Sequence, residues 1–312
     1  MEKIIGVGSL IVDITGYAEH LPVHGETSLG QRLVFGPGGK GNNQMTAANR
    51  AGVKAIIISR MGRDFLSSIM AAHYEREGMS TTYIKADDAE TGSALIEVDT
   101  TTAQNRIIVI KGACDHVTAE DVLEAEADFA DADAVITQLE TSVESVMACK
   151  ALAEKHGKPF ILNPAPFQSV PAELLDGVTY LTPNETEAEF FTGVPVVTEE
   201  DAAKAAKVLH EKGVKNVIIT LGAKGAFYSC GASGETLLVP GIRVDAVDTT
   251  GAGDAFNGGF AAAIAQGADV ETALQFANCT GALSVTKPGT APAMPQREEI
   301  DALMLKTYGK TL

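Results

Sequence analysis

The sequence predicts an α/β fold: a mostly parallel sheet covered by helices on both faces, with a small β-sheet projecting from it. Two observations predict it. Short apolar runs of strand length alternate with longer stretches whose apolar residues recur at helical spacing. In the N-terminal part this alternation breaks, and strand-like segments follow one another with no long helix between them.

Taken in order, residues 4–7 read as a buried first strand. The apolar N-terminus is a poor signal peptide, because Glu2 replaces a basic region and Asp13 soon follows. Residues 27–35 read as a strand, 40–51 as a helix, 55–59 as a strand and 65–77 as a helix. Residues 92–99 and 105–110 read as a hairpin with 100–104 as its turn. Strands joined this way do not fit a parallel core. They are expected to form a small sheet from about 13–36 and 91–112 that closes over a ligand. The other reading is an antiparallel edge of the main sheet. Strands are then expected at 134–138, 159–163, 179–182 and 216–221, with helices at 142–156 and 199–212. Two consecutive helices, 251–266 and 270–285, complete the pattern. No repeat, linker or low-complexity segment is visible. The 312 residues suit one large domain, or one domain with a smaller appendage.

Composition narrows the function. A net charge of −17 repels nucleic acid and anionic membranes. An anionic ligand must then be held by local donors, such as backbone N–H groups and helix N-termini. No apolar run reaches the ~18 residues of a membrane span. The four cysteines (Cys114, Cys149, Cys230 and Cys279) form no CxxC pair and read as reduced thiols, which implies a cytoplasmic location. The six histidines lack zinc-site spacing.

Two glycine-rich stretches carry the chemistry. Gly36-Pro-Gly-Gly-Lys-Gly-Asn-Asn43 leads into a helix. Gly41 follows Lys40, so this is not a GxxxxGK[ST] phosphate loop. Nor does Gly6-Val-Gly8, with Ile11 where a third glycine would stand, make a dinucleotide fingerprint. The glycines let backbone N–H groups approach a neutral polar ligand, and Lys40 and Asn43 add side-chain donors. A tight strand-to-helix turn is the other reading. The second stretch is Asp248-Thr-Thr-Gly-Ala-Gly-Asp254. Its free N–H groups would make an anion hole for a transferring phosphoryl group, and Asp254 would accept the proton of an attacking hydroxyl. The alternative is that Asp254 only caps its helix.

Together these stretches resemble the signatures of the PfkB family of carbohydrate kinases, in its ribokinase branch. Gln138-Leu-Glu140, Asn184-Glu-Thr-Glu187 and Thr220-Leu-Gly-Ala-Lys-Gly225 resemble further family motifs in the expected order. The resemblance covers essentially the whole chain. It implies one domain over 1–312, a ribokinase-like three-layer sandwich with a β-sheet lid. It implies Asp254 as base, with Gly251, Ala252 and Gly253 as the anion hole. Asp13, Gly39, Lys40, Asn43 and Glu140 would hold the sugar. Asn184, Thr220, Gly222, Gly225 and Asn278 would line the ATP site, with Lys224 near the phosphates. Glu187 would act on Mg²⁺ through water. Asp248, Thr250, Ser284, Lys287 and Gly289 would hold an activating monovalent cation such as K⁺.

The chain departs from that pattern at two positions. Ala293 stands where a serine is usual in the cation site, and Ile11 stands where ribokinases carry an asparagine that contacts the sugar. The expected activity is transfer of the ATP γ-phosphate to a pentose or related sugar. A nucleoside kinase of the same family is the alternative acceptor reading, prompted by Ile11. A non-catalytic sugar sensor on the same scaffold is the alternative of another class. A homodimer is expected through the lid, whose strands carry Leu29, Leu33, Val34, Ile96, Val98, Ile108 and Ile110.

Overall fold

The computed structural model describes residues 1–102 and 104–312; position 103, within the turn expected at 100–104, lies outside the described residues. Among the described residues the strands form two sheets. The larger contains β1 (Lys3–Val7), β4 (Lys54–Gly62), β5 (Ile84–Asp87), β8 (Ala134–Thr137), β9 (Phe160–Leu162), β10 (Tyr180–Leu181), β11 (Asn216–Thr220), β12 (Gly225–Cys230) and β13 (Thr236–Pro240). The smaller contains β2 (Ile11–Ala18), β3 (Gly30–Gly38), β6 (Gly92–Asp99) and β7 (Asn105–Ile110).

The pleat explains why the core strands read as unbroken apolar runs. Ile4, Ala55 and Ile57 enter one hydrophobic core, while Ile5, Val7, Ile56 and Ile58 enter another on the opposite face. The first core is closed by the helices Lys40–Arg50, Phe65–Glu77, Ala252–Ala265, Val270–Ser284 and Arg297–Tyr308. The second is closed chiefly by Val143–Lys155 and Glu199–Glu211, through Val146, Cys149, Leu152, Ala202, Ala205 and Leu209. Sheet order is β13-β12-β11-β10-β9-β8-β1-β4-β5. All neighbours are parallel except β11–β12 and β12–β13. The antiparallel edge therefore exists, but it is built from β12 and β13, not from the hairpin.

The hairpin strands and β2–β3 form the separate four-stranded sheet, in the order β3-β2-β6-β7. The strand expected at 27–35 is displaced to Gly30–Gly38, so it runs directly into the glycine turn. By register, Asp13, Val34, Ile96 and Val98 share one face of this sheet, and Leu33, Ile108 and Ile110 the other. Its apolar residues are thus divided between two faces.

Glycine also sets a close contact between helices. A Cβ on Gly258 would lie 2.4 Å from the Gln44 carbonyl oxygen, so only glycine lets helix Ala252–Ala265 pack this tightly on helix Lys40–Arg50. That contact brings the two glycine-rich motifs together at the C-terminal ends of the parallel strands, where open α/β sheets bind ligands.

Candidate active site

The turn before helix Lys40–Arg50 is a contact of backbone on backbone. Gly39 has φ +88°, and a Cβ there would sit 2.8 Å from the Ile11 nitrogen. A Cβ on Gly41 would lie 2.4 Å from the Ser9 nitrogen. Gly39 offers no capping side chain, so a distant carboxylate takes that place. Glu140 Oε2 accepts the Lys40 N–H at 2.9 Å and the Ser9 hydroxyl. Burial pushes the Glu140 pKa up, and the Lys40 charge opposes this. Among the described residues Glu140 Oε1 has no protein partner.

Asp254 lies in the first turn of helix Ala252–Ala265 and is 6% exposed. Its Oδ2 accepts from Asn43 Nδ2 at 2.9 Å and its Oδ1 from Gln44 Nε2 at 3.1 Å. Gln44 is itself fixed: its Nε2 also donates to Asn163 Oδ1, and its Oε1 accepts from Gln138 Nε2 at 2.7 Å. Asn257 braces the turn, donating to the Gly253 carbonyl and accepting from Thr182. Among the described residues the N–H groups of Gly251, Gly253 and Asp254 find no acceptor, while that of Ala252 bonds weakly to Thr249 O at 3.3 Å. The arrangement is a carboxylate beside unspent donors at a helix N-terminus, able to receive a proton and an anion together. The Asn43 Oδ1 atom is buried without a partner, a further polar group left for a ligand.

Two cavities meet here. A pocket of about 180 Å³ is lined by Lys40, Asn163, Glu187, Gly251, Gly253 and Asp254. It shares Asn184, Thr220, Thr249, Ala252 and Gly253 with a cleft of about 650 Å³. That cleft runs over Gly222, Gly225, Arg243 and Asn278 toward Val285. Lys40 brings a positive charge to the smaller pocket. Its pKa is raised by the charge of Asp254, against burial, with Glu140 and Glu187 adding to the rise. Glu187 and Asn184 form a capping box that opens helix Glu185–Thr192. This occupies Glu187 Oε2, while Oε1 carries no protein hydrogen bond among the described residues. Burial pushes the Glu187 pKa up. Lys224 is turned elsewhere: it is exposed and its Nζ donates to Val197 O at 3.1 Å, outside both cavities.

Asp13 lies on β2, half-buried, and accepts from Thr290 Oγ1 at 2.9 Å. Burial pushes its pKa up to about 6; the Thr290 bond opposes this, and the charges of Glu140, Asp254 and Asp248 add to it.

Behind the Gly251–Gly253 turn, Asp248 ties two loops. Its Oδ1 accepts the Thr250 N–H at 2.9 Å and its Oδ2 the Gly289 N–H at 3.0 Å. The Ser284 hydroxyl turns to Gly281 O, and Lys287 Nζ pairs with Glu299. What remains for a cation here is Asp248 and main-chain carbonyls, a hard oxygen set suited to an alkali ion. Among the described residues no cluster of three or more His, Cys, Asp or Glu is placed to hold a metal.

Comparison with known proteins settles the family. The model of the pfkB family carbohydrate kinases matches residues 1–297. The chain belongs to the pfkB family of carbohydrate kinases. As a pfkB kinase it is an ATP-dependent enzyme with a carbohydrate acceptor. It is 41% identical to the ribokinase of Haemophilus influenzae over 301 residues, covering 96% of this chain and 97% of the relative. It is 36% identical to the deoxyribokinase of Salmonella typhi over 297 residues, covering 95% and 96%. The structure of Arabidopsis thaliana ribokinase complexed with ribose and ATP superposes with a TM-score of 0.90 at 30% identity, covering 97% of this chain and 99% of that one. The fold is the ribokinase-like one expected. Among the described residues no helix is long and apolar enough to cross a membrane.

Several residues of this pfkB kinase's site escaped the sequence reading. Gln44 is four residues after Lys40, on the same helix face, and that spacing is a usable signal. Ser9, Asn163 and Thr290 carry no local signal; only the fold brings them in.

Proposed function

We propose that this chain transfers the γ-phosphate of ATP to a hydroxyl of a pentose, with Asp254 as general base. The observation that carries the reading is Asp254 itself, buried beside free helix N-terminal N–H groups where two cavities join. The large cleft suits the nucleotide, bounded by Asn184, Thr220, Gly222, Gly225 and Asn278. The sugar lies among Asp13, Gly39, Lys40, Asn43 and Glu140. Asp254 takes the proton of the acceptor hydroxyl as its oxygen bonds to the γ-phosphorus. The bond from the γ-phosphorus to the bridging oxygen breaks, and ADP leaves. Gly251, Ala252 and Gly253 offer backbone donors to the equatorial oxygens, and Lys40 supplies positive charge. Glu187, with one free carboxylate oxygen, would hold Mg²⁺ through water; bound there, the ion would neutralise phosphate charge. Asp248, Thr250, Ser284, Lys287 and Gly289 would hold K⁺, which would stiffen the loop behind the anion hole.

One observation favours a particular acceptor. Ile11 shares the face of β2 that carries Asp13, by the period of two, and is 2% exposed. An apolar side chain there leaves a sugar hydroxyl unpaired, which disfavours ribose relative to a deoxypentose. The similarity to a deoxyribokinase supports this reading. A coupled ADP-release assay with ribose, 2-deoxyribose, fructose, 2-keto-3-deoxygluconate and nucleosides tests both. Turnover restricted to nucleosides contradicts the pentose, and no turnover at all contradicts the kinase. The lid exposes Leu33, Phe35, Ile107, Ile108 and Val109, which supports a homodimer through this sheet. A monomeric mass by light scattering at micromolar concentration contradicts that. The use of ATP and the four free cysteines support a cytoplasmic location.

A further inference from the structure

The C-terminal segment around Thr290 joins three parts of the site that lie far apart in sequence. Gly289 donates to Asp248. Thr290 Oγ1 lies 2.9 Å from Asp13 Oδ2 and 3.2 Å from the carbonyl oxygen of Pro37, which stands at the end of β3 within the glycine motif. The Thr290 Cα atom would be 3.5 Å from a Cβ placed on Gly251, so the segment abuts the catalytic turn. Two residues further on, Arg50 holds it from below, donating from Nη1 to Pro292 O and Met294 O while its other nitrogens grip Glu77. Thr290 is 7% exposed. Among the described residues its hydroxyl makes the one side-chain hydrogen bond to Asp13.

We infer that Thr290 is a positioning residue for the sugar: its hydroxyl holds the Asp13 carboxylate so that Oδ1 is presented to the acceptor. This rests on the proposed sugar role of Asp13. A carboxylate on a half-buried strand otherwise rotates freely about χ2, and fixing one oxygen orients the other. A Cβ on Gly38 would be 2.4 Å from Asp13 Oδ2, so the carboxylate fills the space that a side chain at position 38 would take. The same single proton is also within reach of Pro37 O at 3.2 Å, which makes that carbonyl the longer, competing acceptor. The bond favours the charged form of Asp13, against burial first and then against Glu140, Asp254 and Asp248, the charged groups that face it.

The test compares wild type, Thr290→Val and Thr290→Ser. KM for ribose and 2-deoxyribose, KM for ATP and kcat are measured from pH 5 to 9. Valine keeps the shape and removes the hydroxyl. It should raise the sugar KM roughly tenfold and leave the ATP KM unchanged, and serine should restore wild-type values. The acid limb of kcat/KM for the sugar should move to higher pH in the valine variant, because the bond that favoured the carboxylate is gone. An unchanged sugar KM overturns the inference. So does an equal loss in both substrates, with a lowered melting temperature and an unmoved acid limb, which marks a packing role. If wild type turns over neither sugar, the pentose reading fails. Calorimetric titration of 2-deoxyribose into the three proteins then decides the contact alone: weaker binding by valine and not by serine supports it, and equal or absent binding overturns it.

Discussion

Replacing Asp13 by Asn should make the protein more stable while disabling it. Burial and three neighbouring carboxylates raise the Asp13 pKa from 3.8 to about 6. The folded pKa lies above the unfolded one, so the folded state binds this proton more tightly. The stability so contributed is fully present below 3.8 and is lost as pH rises through about 6. At pH 8 an ionised Asp13 therefore costs the fold about 3 kcal/mol, and at pH 5 roughly half of that is still absent. Asparagine has the same shape, still accepts from Thr290 and carries no charge. Urea denaturation of both proteins at pH 8 and pH 5 measures the effect. The variant should gain about 3 kcal/mol at pH 8, or roughly 5 °C in melting temperature, and about half as much at pH 5. No gain at pH 8 refutes the reasoning, and so does an equal gain at both pH values, which marks a packing effect.

Other consequences are as specific. Gln44→Leu removes a donor from Asp254 and strands the partner groups on Gln138 and Asn163; kcat should fall about ten- to a hundredfold with the ATP KM unchanged, read by steady-state kinetics. Gly258→Ala drives a methyl group against the Gln44 carbonyl; it should cost about 1–3 kcal/mol in chemical denaturation and lower kcat by parting Asp254 from Asn43 and Gln44. Ile11→Asn should shift the kcat/KM ratio toward ribose over 2-deoxyribose by at least about tenfold, measured in a direct competition assay.

The layered core was legible because its physics is local. Helix Phe65–Glu77 was read to both ends, since Asp64 caps its start and Gly78, at φ +62°, closes it. The hairpin strands at 92–99 and 105–110 were equally clear. β2 falls largely inside the expected lid segment 13–36, but its own bounds are not legible, because Asp13, Thr15 and Gly16 interrupt its apolar pattern and most of its residues are only half-buried. β12 and β13 are hidden for another reason: Gly222 and Gly225, on either side of a short turn, signal a binding loop and mask the edge hairpin that follows. The two glycine motifs pointed to the chemistry, but not to what holds it. Gln44 and Asp254 are 210 residues apart, and Asp13 and Thr290 are 277 apart. Such contacts exist only once the sheet has brought the chain ends together.

The most direct test of the account is Asp254→Asn. Its kcat is measured on the best acceptor alongside ATP affinity by calorimetry. Asparagine keeps the shape of the side chain and removes the base. Turnover should fall by about a thousandfold or more while ATP affinity stays within roughly twofold of wild type. Turnover within about tenfold of wild type would show that proton transfer does not depend on Asp254 and would contradict the account.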